Sequence, residues 1–441
     1  MQDLFQQSGH PIRQISGRRP KSDSGYLVVF GELFNRGYAN GLVEEAQKNN
    51  YKIIKSTVGR RDSNQNIRAL EDHEKPTDAF HFINVPLEAG FDMEVDEASG
   101  TSPVDDLKEL GLKNWADFSW PKGKLENCLQ KGRARFRKQV QDYVKELEKV
   151  LPQKNAHVLF AHLMAGGVPR AKIVMPLMNR VFKGTGERYM ESQSFWNSAI
   201  GELCNLNFNE VTAYTLDILL EETTKLRDRI QQSGGHVSYV AYGYHGTEIW
   251  MKDHFQWQSY SPYLQGWAKL ELEKVSLKWK NQNIPISTYN CPEILTNSSS
   301  IFQGVEAPLY TLLKTFQKLY PDNGRTHQLF NECTSLLKKP QAMEEIFSHI
   351  NHYYQDPEVL QTIQFSDWPS HSNKAQLEKL LQLSHFVTES HLDSKNLMTA
   401  ILSEVVFRSC GWVMFHDSYQ PQQAVQWIGH DIVASAEVGR S

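Results

Sequence analysis

Short apolar runs that end at glycine-bearing turns constrain the fold of this chain most strongly. The first run, YLVVF at 26–30, is continuous rather than alternating, which is typical of a strand buried on both faces of a parallel sheet. It is followed by the turn GELFNRGYANG at 31–41, by the helical segment LVEEAQKNN and by a second apolar run, YKIIKSTV at 51–58. Strand, glycine turn, helix and strand in this order form the first half of a dinucleotide-binding unit.

Further strand candidates repeat this pattern along the chain. Their apolar runs lie at 79–85, 156–167, 236–246 and 286–296. Helical patterns at 128–150 and 209–235 lie between them, and the second ends in a Gly-Gly pair, which is typical of a helix terminus. Strands that alternate with helices predict an α/β fold with a doubly wound, Rossmann-like parallel sheet, whose ligand lies at the carboxyl ends of the strands.

The chain divides into three predicted regions. Residues 1–25 are polar and form an N-terminal arm that we expect to be mobile or loosely packed, whereas residues 26–304 form the Rossmann-like dinucleotide-binding and catalytic domain. An insertion near 62–125 interrupts this domain, and residues 88–125 within it are rich in Asp, Glu, Gly and Pro. Residues 305–441 form an added helical region that packs on the same core and covers the substrate site.

Composition and charge exclude several classes of partner. A formal net charge of −4 and a pI near 6.5 provide no general attraction to nucleic acid or to an anionic membrane. The five cysteines stand singly and the sixteen histidines show no HExxH-type spacing, so we expect a reducing, cytoplasmic location and no metal. Residues 1–25 lack the apolar core of a signal peptide, and we expect no membrane span. The basic stretch at 131–150 is interpreted as a solvated helix face, with docking of an acidic partner as the alternative.

The turn after the first strand carries the candidate cofactor-binding residues. Small residues at a strand-to-helix turn let the backbone approach a pyrophosphate, and the helix N-terminus favours its negative charge. The candidates in this turn are Gly31, Phe34, Gly37, Tyr38 and Ala39. The spacing differs from GxGxxG, so a glycine-rich turn without a ligand stays open as the alternative.

Two arginines follow the second strand, where dinucleotide folds bind the adenosine ribose. An acidic residue at this place binds the 2′-hydroxyl group, whereas an arginine accommodates a 2′-phosphate. Arg60 and Arg61 therefore predict NADPH as the cofactor, and Asp62 beside them keeps NADH possible. The alternative is a solvated basic loop.

The stretch SYSPYLQGWAKLELE at 259–273 contains a candidate catalytic pair, Tyr260 and Lys269. In one continuous helix, about 100° per residue would put these two side chains on opposite faces. Ser261 and Pro262 instead predict that the helix begins there, so that Tyr260 lies in the preceding loop and can turn back toward the lysine. A tyrosine hydroxyl can donate to an oxygen on which negative charge develops, and a nearby ammonium lowers the phenol pKa. Tyr263 is a rival for the same role, and half-buried aromatic residues without chemistry are the alternative.

These residues resemble the FabV-type trans-2-enoyl-[acyl-carrier-protein] reductases, relatives of the short-chain dehydrogenase/reductase superfamily. That family has a tyrosine, eight residues and a lysine that closes a Gly-x-Ala-Lys motif, as Tyr260 to Lys269 do here. The family's Tyr-x-Gly is matched at 244–246, and its Thr-x-x-Ser-Ser-Ala-Ile segment followed by Pro-Leu-Tyr is matched at 296–314. The similarity extends from about 236 to 338, and the N-terminal half differs, which identifies the chain as a divergent relative.

The resemblance implies a reductase of fatty-acid synthesis that transfers a hydride from NAD(P)H to the β-carbon of a trans-2-enoyl thioester. The thioester would be carried by acyl carrier protein or by coenzyme A. Tyr260 would be the acid that stabilises the enolate, Lys269 its electrostatic and ribose-binding partner, and Tyr244 a second hydroxyl near the thioester carbonyl. Thr296 and Ser298 would lie near the nicotinamide amide and the diphosphate.

Two other functions stay open from the sequence. One is a short-chain dehydrogenase or ketoreductase that acts on a 3-ketoacyl thioester. Such enzymes usually place a tyrosine four residues before the lysine, where this chain has Gln265. The other is an NAD(P)-binding protein without catalysis. The oligomeric state and the acyl chain length are also open.

Overall fold

The computed structural model describes residues 9–15, 17–152, 154–243, 246–251, 254–258, 264–296, 303–362 and 373–440. The strands in these ranges are β1 (Gly9–Pro11), β2 (Gly25–Phe30), β3 (Lys52–Val58), β4 (Arg60–Arg61), β5 (Ile67–Arg68), β6 (His81–Leu87), β7 (His157–His162), β8 (His236–Gly243), β9 (Thr247–Met251), β10 (His254–Gln258), β11 (Ile286–Asn290) and β12 (Val425–Trp427).

The helices are more numerous than the strands and fill the C-terminal third of the chain. They are α1 (Ala39–Lys48), α2 (Pro103–Asp106), α3 (Lys124–Val150), α4 (Val174–Lys183), α5 (Ser192–Trp196), α6 (Ala199–Asn209), α7 (Thr215–Glu222), α8 (Thr224–Gln232), α9 (Trp267–Lys280), α10 (Glu306–Leu309), α11 (Thr311–Leu319), α12 (Gly324–Thr334), α13 (Ala342–Gln355), α14 (Pro357–Thr362), α15 (Lys374–Glu389), α16 (Met398–Asp417) and α17 (His430–Arg440). A π-helical turn at Glu210–Tyr214 joins α6 to α7.

Eight strands form one parallel sheet in the order β1-β12-β11-β8-β7-β2-β3-β6. The chain moves outward from β2 to β3 and β6 and then crosses to the other side of β2 with β7. The strand order therefore reverses between β2 and β7, and a crevice opens there at the carboxyl ends of the strands. One core cluster contains α1 and α16 residues and a second contains α3, α7 and α9 residues, so helices cover both faces. The predicted doubly wound α/β fold is confirmed.

The N-terminal arm packs on the sheet between residues 9 and 25. β1 pairs in parallel with β12 at the sheet edge. Arg19 is 4% exposed, and its guanidinium donates to the Phe415 carbonyl oxygen at 2.8 Å and to Ser418 Oγ at 2.9 Å. It also lies 5.0 Å from the centroid of the Phe415 ring. The expected loose packing therefore does not apply to this part of the arm, because strand pairing and a buried guanidinium attach it to the core.

The predicted insertion near 62–125 contains a strand of the main sheet. β6 lies within this range and pairs with β3, with an irregularity in register between Ser56 and Thr57. The rest of the range is loop-rich and is stabilised by ion pairs, such as the 2.5 Å contact between Lys124 Nζ and Asp106 Oδ2. The strand predicted at 79–85 is therefore present in the sheet, and loop-rich segments lie on either side of it.

An antiparallel hairpin of β9 and β10 follows β8 and was not predicted. Thr247 Oγ1 donates to the Ile428 carbonyl oxygen at 2.8 Å, and Gln256 Nε2 donates to the Tyr354 carbonyl oxygen at 3.1 Å. These contacts attach the hairpin to α13 and to the segment between β12 and α17. The alternating pattern of TEIWM was the available sequence signal.

Helix α1, which follows the glycine turn, crosses α16 with the two backbones in close contact. A Cβ atom on Gly41 of α1 would lie 2.0 Å from the Phe407 carbonyl oxygen, and one on Gly411 of α16 would lie 2.1 Å from the Gly41 carbonyl carbon. Only glycine fits at these two places. Within the described ranges, α16 alone has the length and hydropathy of a membrane-spanning helix, but 67% of its apolar window is buried inside the protein. It is a central helix of the core cluster that contains α1.

Candidate active site

A cleft of about 180 Å³ opens at the carboxyl ends of β2, β7 and β8, at the point where the strand order reverses. It is lined by Glu32, Leu33, Phe34, Arg36, Gly37, Tyr38, Ala39, Asn40, His162, Leu163, Met164, Ala165, Tyr242, Gly243, Lys269 and Thr296. We call it the inner cleft. The structure thus brings together the glycine turn, the lysine of the candidate pair and Thr296, which are far apart in sequence.

A second cavity of about 240 Å³ extends from the inner cleft across the ends of β3 and β6. Both cavities are lined by Glu32, Phe34 and Leu163, so they form one groove across the switch point. We call this second cavity the outer cleft. A groove of two adjoining compartments over a strand-order reversal is the usual position of a dinucleotide in open α/β sheets.

The predicted turn residues form one wall of the inner cleft. Gly31 has φ of 109°, which favours glycine, and its N–H donates to Ser56 Oγ at 3.1 Å. Phe34, Gly37, Tyr38 and Ala39 line the cleft, and Phe34 is 55% exposed. Apart from Gly37 and its two chain neighbours, no described residue has an atom within 4 Å of the position where a Cβ would stand on Gly37. Open space therefore lies beside Gly37, close to the N-terminus of α1.

Lys269 reaches the inner cleft from the start of α9 and is 8% exposed. Its Nζ donates to the Tyr242 carbonyl oxygen at 2.7 Å. Burial lowers the pKa of this amine to about 8. The expected helix start at Ser261 and Pro262 lies outside the described residues. The chain forms a 3₁₀ turn at Leu264–Gly266 and α9 begins at Trp267, which places the lysine in the first turn of α9.

Two tyrosines stack beside this lysine. The rings of Tyr38 and Tyr242 lie 5.9 Å apart at an interplanar angle of 26°. Tyr38 Oη donates to the Pro292 carbonyl oxygen at 2.6 Å, whereas the buried Tyr242 Oη has no hydrogen-bond partner among the described residues. Burial raises the pKa of both phenols well above the usual value, so both stay protonated at neutral pH.

His162 ends β7 and lines the inner cleft as a neutral imidazole. Burial and the charge of Lys269 lower its pKa to about 3. Thr215 Oγ1 donates to the Val211 carbonyl oxygen at 2.9 Å, so it accepts from His162 Nε2, which lies 2.8 Å away. This arrangement places the ring proton on Nε2 and leaves Nδ1 as an acceptor. The π-helical turn contains Val211 and ends just before Thr215, in keeping with the frequent use of such turns at functional sites.

The two arginines after β3 are held by carboxylates. Arg60 Nη2 lies 2.8 Å from Glu32 Oε1, and Arg61 Nε lies 2.9 Å from Glu88 Oε1. Glu88 also contacts Arg170 at 2.5 Å. The prediction of NADPH rested on two free cations, whereas each guanidinium here has a carboxylate partner that is distant in sequence.

Several predicted site residues lie outside the described residues: Tyr244, Tyr260, Tyr263 and Ser298. Their roles stay predictions. Gly243 and Thr296, which directly precede two of the undescribed segments, line the inner cleft, and so does Lys269. The described parts of the chain contain no group of three His, Cys, Asp or Glu side chains that could hold a metal.

The basic helix at 131–150 has intramolecular partners for its arginines. Arg133 contacts Glu210, Arg135 Nε lies 2.7 Å from Glu94 Oε1, and Arg137 contacts Glu221 at 2.7 Å. The sequence predicted a solvated helix face and did not predict these ion pairs. They neutralise much of the positive charge of the helix inside the protein. An acidic docking partner loses its main support here.

Glu32, Glu88, His162 and Tyr242 also line the groove, and the sequence did not predict them. Each stands at or just after the carboxyl end of a sheet strand. That position was the available signal, since ligands of open α/β sheets bind there.

The chain is similar to known proteins over nearly its full length. The family model described as enoyl-acyl carrier protein reductase FabMG matches residues 8–437. An apo structure of FabMG is 38% identical, with 98% of each chain covered and a TM-score of 0.93. An NADH-bound structure of FabMG is 34% identical, with 97% of this chain and 98% of that chain covered and a TM-score of 0.77. No curated protein matches the chain.

A family match over residues 8–437 and a groove with the position of a dinucleotide site lead to one assignment. The predicted function, enzyme class and use of a nicotinamide cofactor are confirmed. The chain belongs to the FabMG family of enoyl-acyl carrier protein reductases, enzymes that reduce enoyl thioesters with a nicotinamide cofactor.

Proposed function

We propose that the groove is the catalytic site, in which Lys269 and the hydroxyl of Tyr260 act on a trans-2-enoyl thioester of acyl carrier protein. The observation that carries this proposal is the buried amine of Lys269, which opens into a cleft at the strand-order reversal beside the Tyr38 and Tyr242 stack. The pattern of Tyr260, eight residues and Lys269, shared with the FabV-type reductases, supports the choice of tyrosine.

The residues present fit a nicotinamide dinucleotide. The open space at Gly37 and the N-terminus of α1 suit a diphosphate. The neutral His162 and the amine of Lys269 supply an acceptor and a donor for ribose hydroxyls or the carboxamide. Thr296 lies at the same cleft and supports the predicted contact with the amide or diphosphate, and Ser298 is proposed to contribute beside it.

The bound reduced nicotinamide supplies a hydride to the substrate β-carbon. The hydroxyl group of Tyr260 is proposed to donate a hydrogen bond to the thioester oxygen, where negative charge develops as the enolate forms. Lys269 stabilises that charge electrostatically and is proposed to orient the cofactor ribose. Tyr244 is proposed to hold the same carbonyl with a second hydroxyl, since it follows Gly243 in the sequence and Gly243 lines the inner cleft. Transfer of a proton from solvent water to the α-carbon completes the reduction.

We propose that this chain shares its reaction chemistry with the FabV-type reductases although it belongs to a separate family. The tyrosine-to-lysine spacing and the 296–314 segment support that relationship and the link to the short-chain dehydrogenase/reductase superfamily. The N-terminal turn differs from the FabV pattern. Coenzyme A thioesters are proposed as alternative substrates. The cytoplasm is proposed as the location, because all five cysteines are free and buried, which suits a reducing compartment.

A comparison of an enoyl thioester with the matching ketoacyl thioester as substrates distinguishes reduction of a carbon–carbon double bond from reduction of a ketone. We expect rapid loss of NADH absorbance with crotonyl-acyl carrier protein and little loss with acetoacetyl-acyl carrier protein. The reason is that position 265 holds a glutamine where ketoreductases usually have their tyrosine. Crotonyl-CoA in a third reaction measures how much the carrier protein contributes. Faster turnover of the ketoacyl thioester would favour the ketoreductase alternative.

Substituting two glycines near the turn separates cofactor binding from folding. Gly37→Ala should leave the free energy of unfolding unchanged, because no described residue beyond its chain neighbours has an atom within 4 Å of the added methyl group. It should weaken NADH binding about tenfold, since the methyl group takes space that the diphosphate needs. Gly41→Ala should lower the free energy of unfolding by about 1–3 kcal/mol, because its methyl group meets the Phe407 carbonyl. Urea unfolding and NADH fluorescence titration measure both effects. Normal NADH binding by Gly37→Ala would remove the diphosphate from this turn.

A further inference from the structure

Helix α4 follows the groove in sequence and has an outer side that the proposed mechanism does not use. Its inner side is buried in a core cluster that also contains Ala268. Ala268 directly precedes Lys269, so α4 and the start of α9 share one core. The opposite side of α4 faces solvent, since Pro176 and Lys183 are exposed.

Three cations lie on or just before the outer side of α4, and we call them the basic face: Lys172, Arg180 and Lys183. At about 100° per residue, Pro176, Arg180 and Lys183 fall within about 60° of one another around the helix axis. Lys172 is exposed and lies just before α4. Residues 171–186 contain no acidic side chain. Within the described ranges none of the three cations pairs with a carboxylate, whereas the arginines of α3 do.

The dipole of α4 explains only part of this arrangement. Arg180 and Lys183 lie in the last turn of the helix, where cations are stabilising. Lys172 lies before the first turn, where the same dipole makes a cation unfavourable. Helix stability therefore does not account for the basic face as a whole, whereas binding of an anionic partner does.

The backbone at the end of α4 is held in place by its own turn. Met190 N donates to the Arg180 carbonyl oxygen at 3.1 Å, and Arg180 Nε donates to the Arg188 carbonyl oxygen at 3.4 Å. A Cβ on Gly184 would lie 2.6 Å from that Arg188 oxygen, so the turn is closely packed against the helix. A surface that is already ordered loses less conformational entropy when a partner binds.

The basic face lies on the side of the sheet where the groove opens. The chain that continues from the end of β7 lines the inner cleft at 163–165 and the outer cleft at Gly167 and Arg170. α4 begins four residues later and packs on α15 of the C-terminal region. A substrate reaches Lys269 from this side, because both clefts lie at the carboxyl ends of the strands.

The extent of the basic face suits a protein better than a single phosphate group. From Lys172 to Lys183 it spans about 15 Å, at about 1.5 Å per helical residue. An acyl carrier protein presents its thioester on a phosphopantetheine arm, which is joined to a serine through an anionic phosphodiester. Cations near the entrance of a site steer such a negatively charged partner into position.

We propose that Lys172, Arg180 and Lys183 dock the acyl carrier protein by binding an acidic surface around the serine that bears its arm. The proposal rests on the proposed function, because the carrier protein delivers the enoyl thioester to the groove. The net charge of the whole chain is −4, so an acidic partner needs a local basic surface to approach it. Charges at the rim of an interface act mainly on the rate of association.

The test compares crotonyl-acyl carrier protein with crotonyl-pantetheine, which has neither a protein nor a phosphate group. For the carrier protein substrate, kcat/KM of the unsubstituted enzyme should fall about tenfold when the NaCl concentration rises from about 20 mM to about 300 mM, because salt screens exposed charges. For crotonyl-pantetheine, kcat/KM should not depend on salt. Loss of NADH absorbance measures both reactions.

Charge reversal at two exposed positions tests the basic face directly. The double variant Lys172→Glu with Lys183→Glu should raise KM for crotonyl-acyl carrier protein about tenfold or more and should leave kcat unchanged. Its turnover of crotonyl-pantetheine should stay normal, which shows that the variant is folded. Lys154→Glu is the matched control, because Lys154 is an exposed lysine before β7, at the opposite end of that strand from α4, and its variant should change neither substrate.

Crotonyl-CoA distinguishes a docked protein from a bound phosphate. An equal rise in KM for crotonyl-CoA and for the carrier protein substrate would overturn the proposal, because the face would then bind only the phosphate of the arm. An unchanged KM for the carrier protein substrate, or an equal loss with crotonyl-pantetheine, would also overturn it. Failure of the unsubstituted enzyme to reduce any enoyl thioester would instead reject the proposed function. Calorimetric titration with the carrier protein would then still test the basic face, since the double variant should bind it about tenfold more weakly.

Discussion

Tyr260→Phe should reduce turnover of crotonyl-acyl carrier protein by about a hundredfold to a thousandfold, the usual effect of removing one donor aimed at a developing oxyanion. NADH binding should be nearly unchanged, because Phe keeps the ring and removes only the hydroxyl group. Stopped-flow absorbance at saturating NADH measures the turnover, and a fluorescence titration measures the binding.

Tyr263→Phe and Tyr244→Phe are the matched controls for this result. Tyr263 is six residues before Lys269 and is the rival candidate, so its variant should keep most of the activity. Tyr244→Phe should have a smaller effect than Tyr260→Phe, since its hydroxyl is proposed as a second donor to the same oxygen. Full activity of Tyr260→Phe, or a larger loss in Tyr263→Phe, would reject the assignment of the acid.

Lys269→Met should lower kcat/KM by about a hundredfold or more, because the cation that stabilises the enolate is lost. The amine has a pKa of about 8 in the free protein. It is protonated below that pH and neutral above it, so kcat/KM should be constant at lower pH and should fall as the pH rises through about 8. This decrease should disappear in the methionine variant.

Lys274→Met provides the control on the same helix. Lys274 is 56% exposed and pairs with Glu271 at 2.5 Å, outside the groove. Its removal should leave the rate and the pH profile unchanged. A pH profile that stays the same in Lys269→Met would show that the decrease belongs to another group, and Lys269 would then have a structural role through its bond to the Tyr242 carbonyl.

The sheet was largely predictable because its central strands are apolar on both faces. Runs such as YLVVF have no other favourable environment, and the burial of all six residues of β2 follows from that composition. The strand at Val425–Trp427 was not predictable. Three residues have no periodicity of their own, and VQW becomes a strand because β11 and β1 pair with it on either side.

The site was predictable where chemistry depends on local sequence and unpredictable where it depends on partners from other strands. The glycine turn and Lys269 were predicted because the spacing of these residues in the sequence reflects the local conformation of the backbone, and both line the inner cleft. The ion pair of Arg60 with Glu32 was not predictable, because Glu32 follows a different strand. The tautomer of His162 depends on Thr215 and the π-helical turn, which is a feature of packing and not of sequence pattern.

A crystal structure of the enzyme with NAD⁺ and a non-reactive enoyl thioester analogue tests the central claim most directly. We predict that the nicotinamide lies in the inner cleft, with Lys269 Nζ within hydrogen-bond distance of the cofactor ribose and Tyr260 Oη within hydrogen-bond distance of the thioester oxygen. A cofactor bound outside the groove, or a thioester carbonyl with Tyr260 and Lys269 pointing into separate regions, would contradict the account.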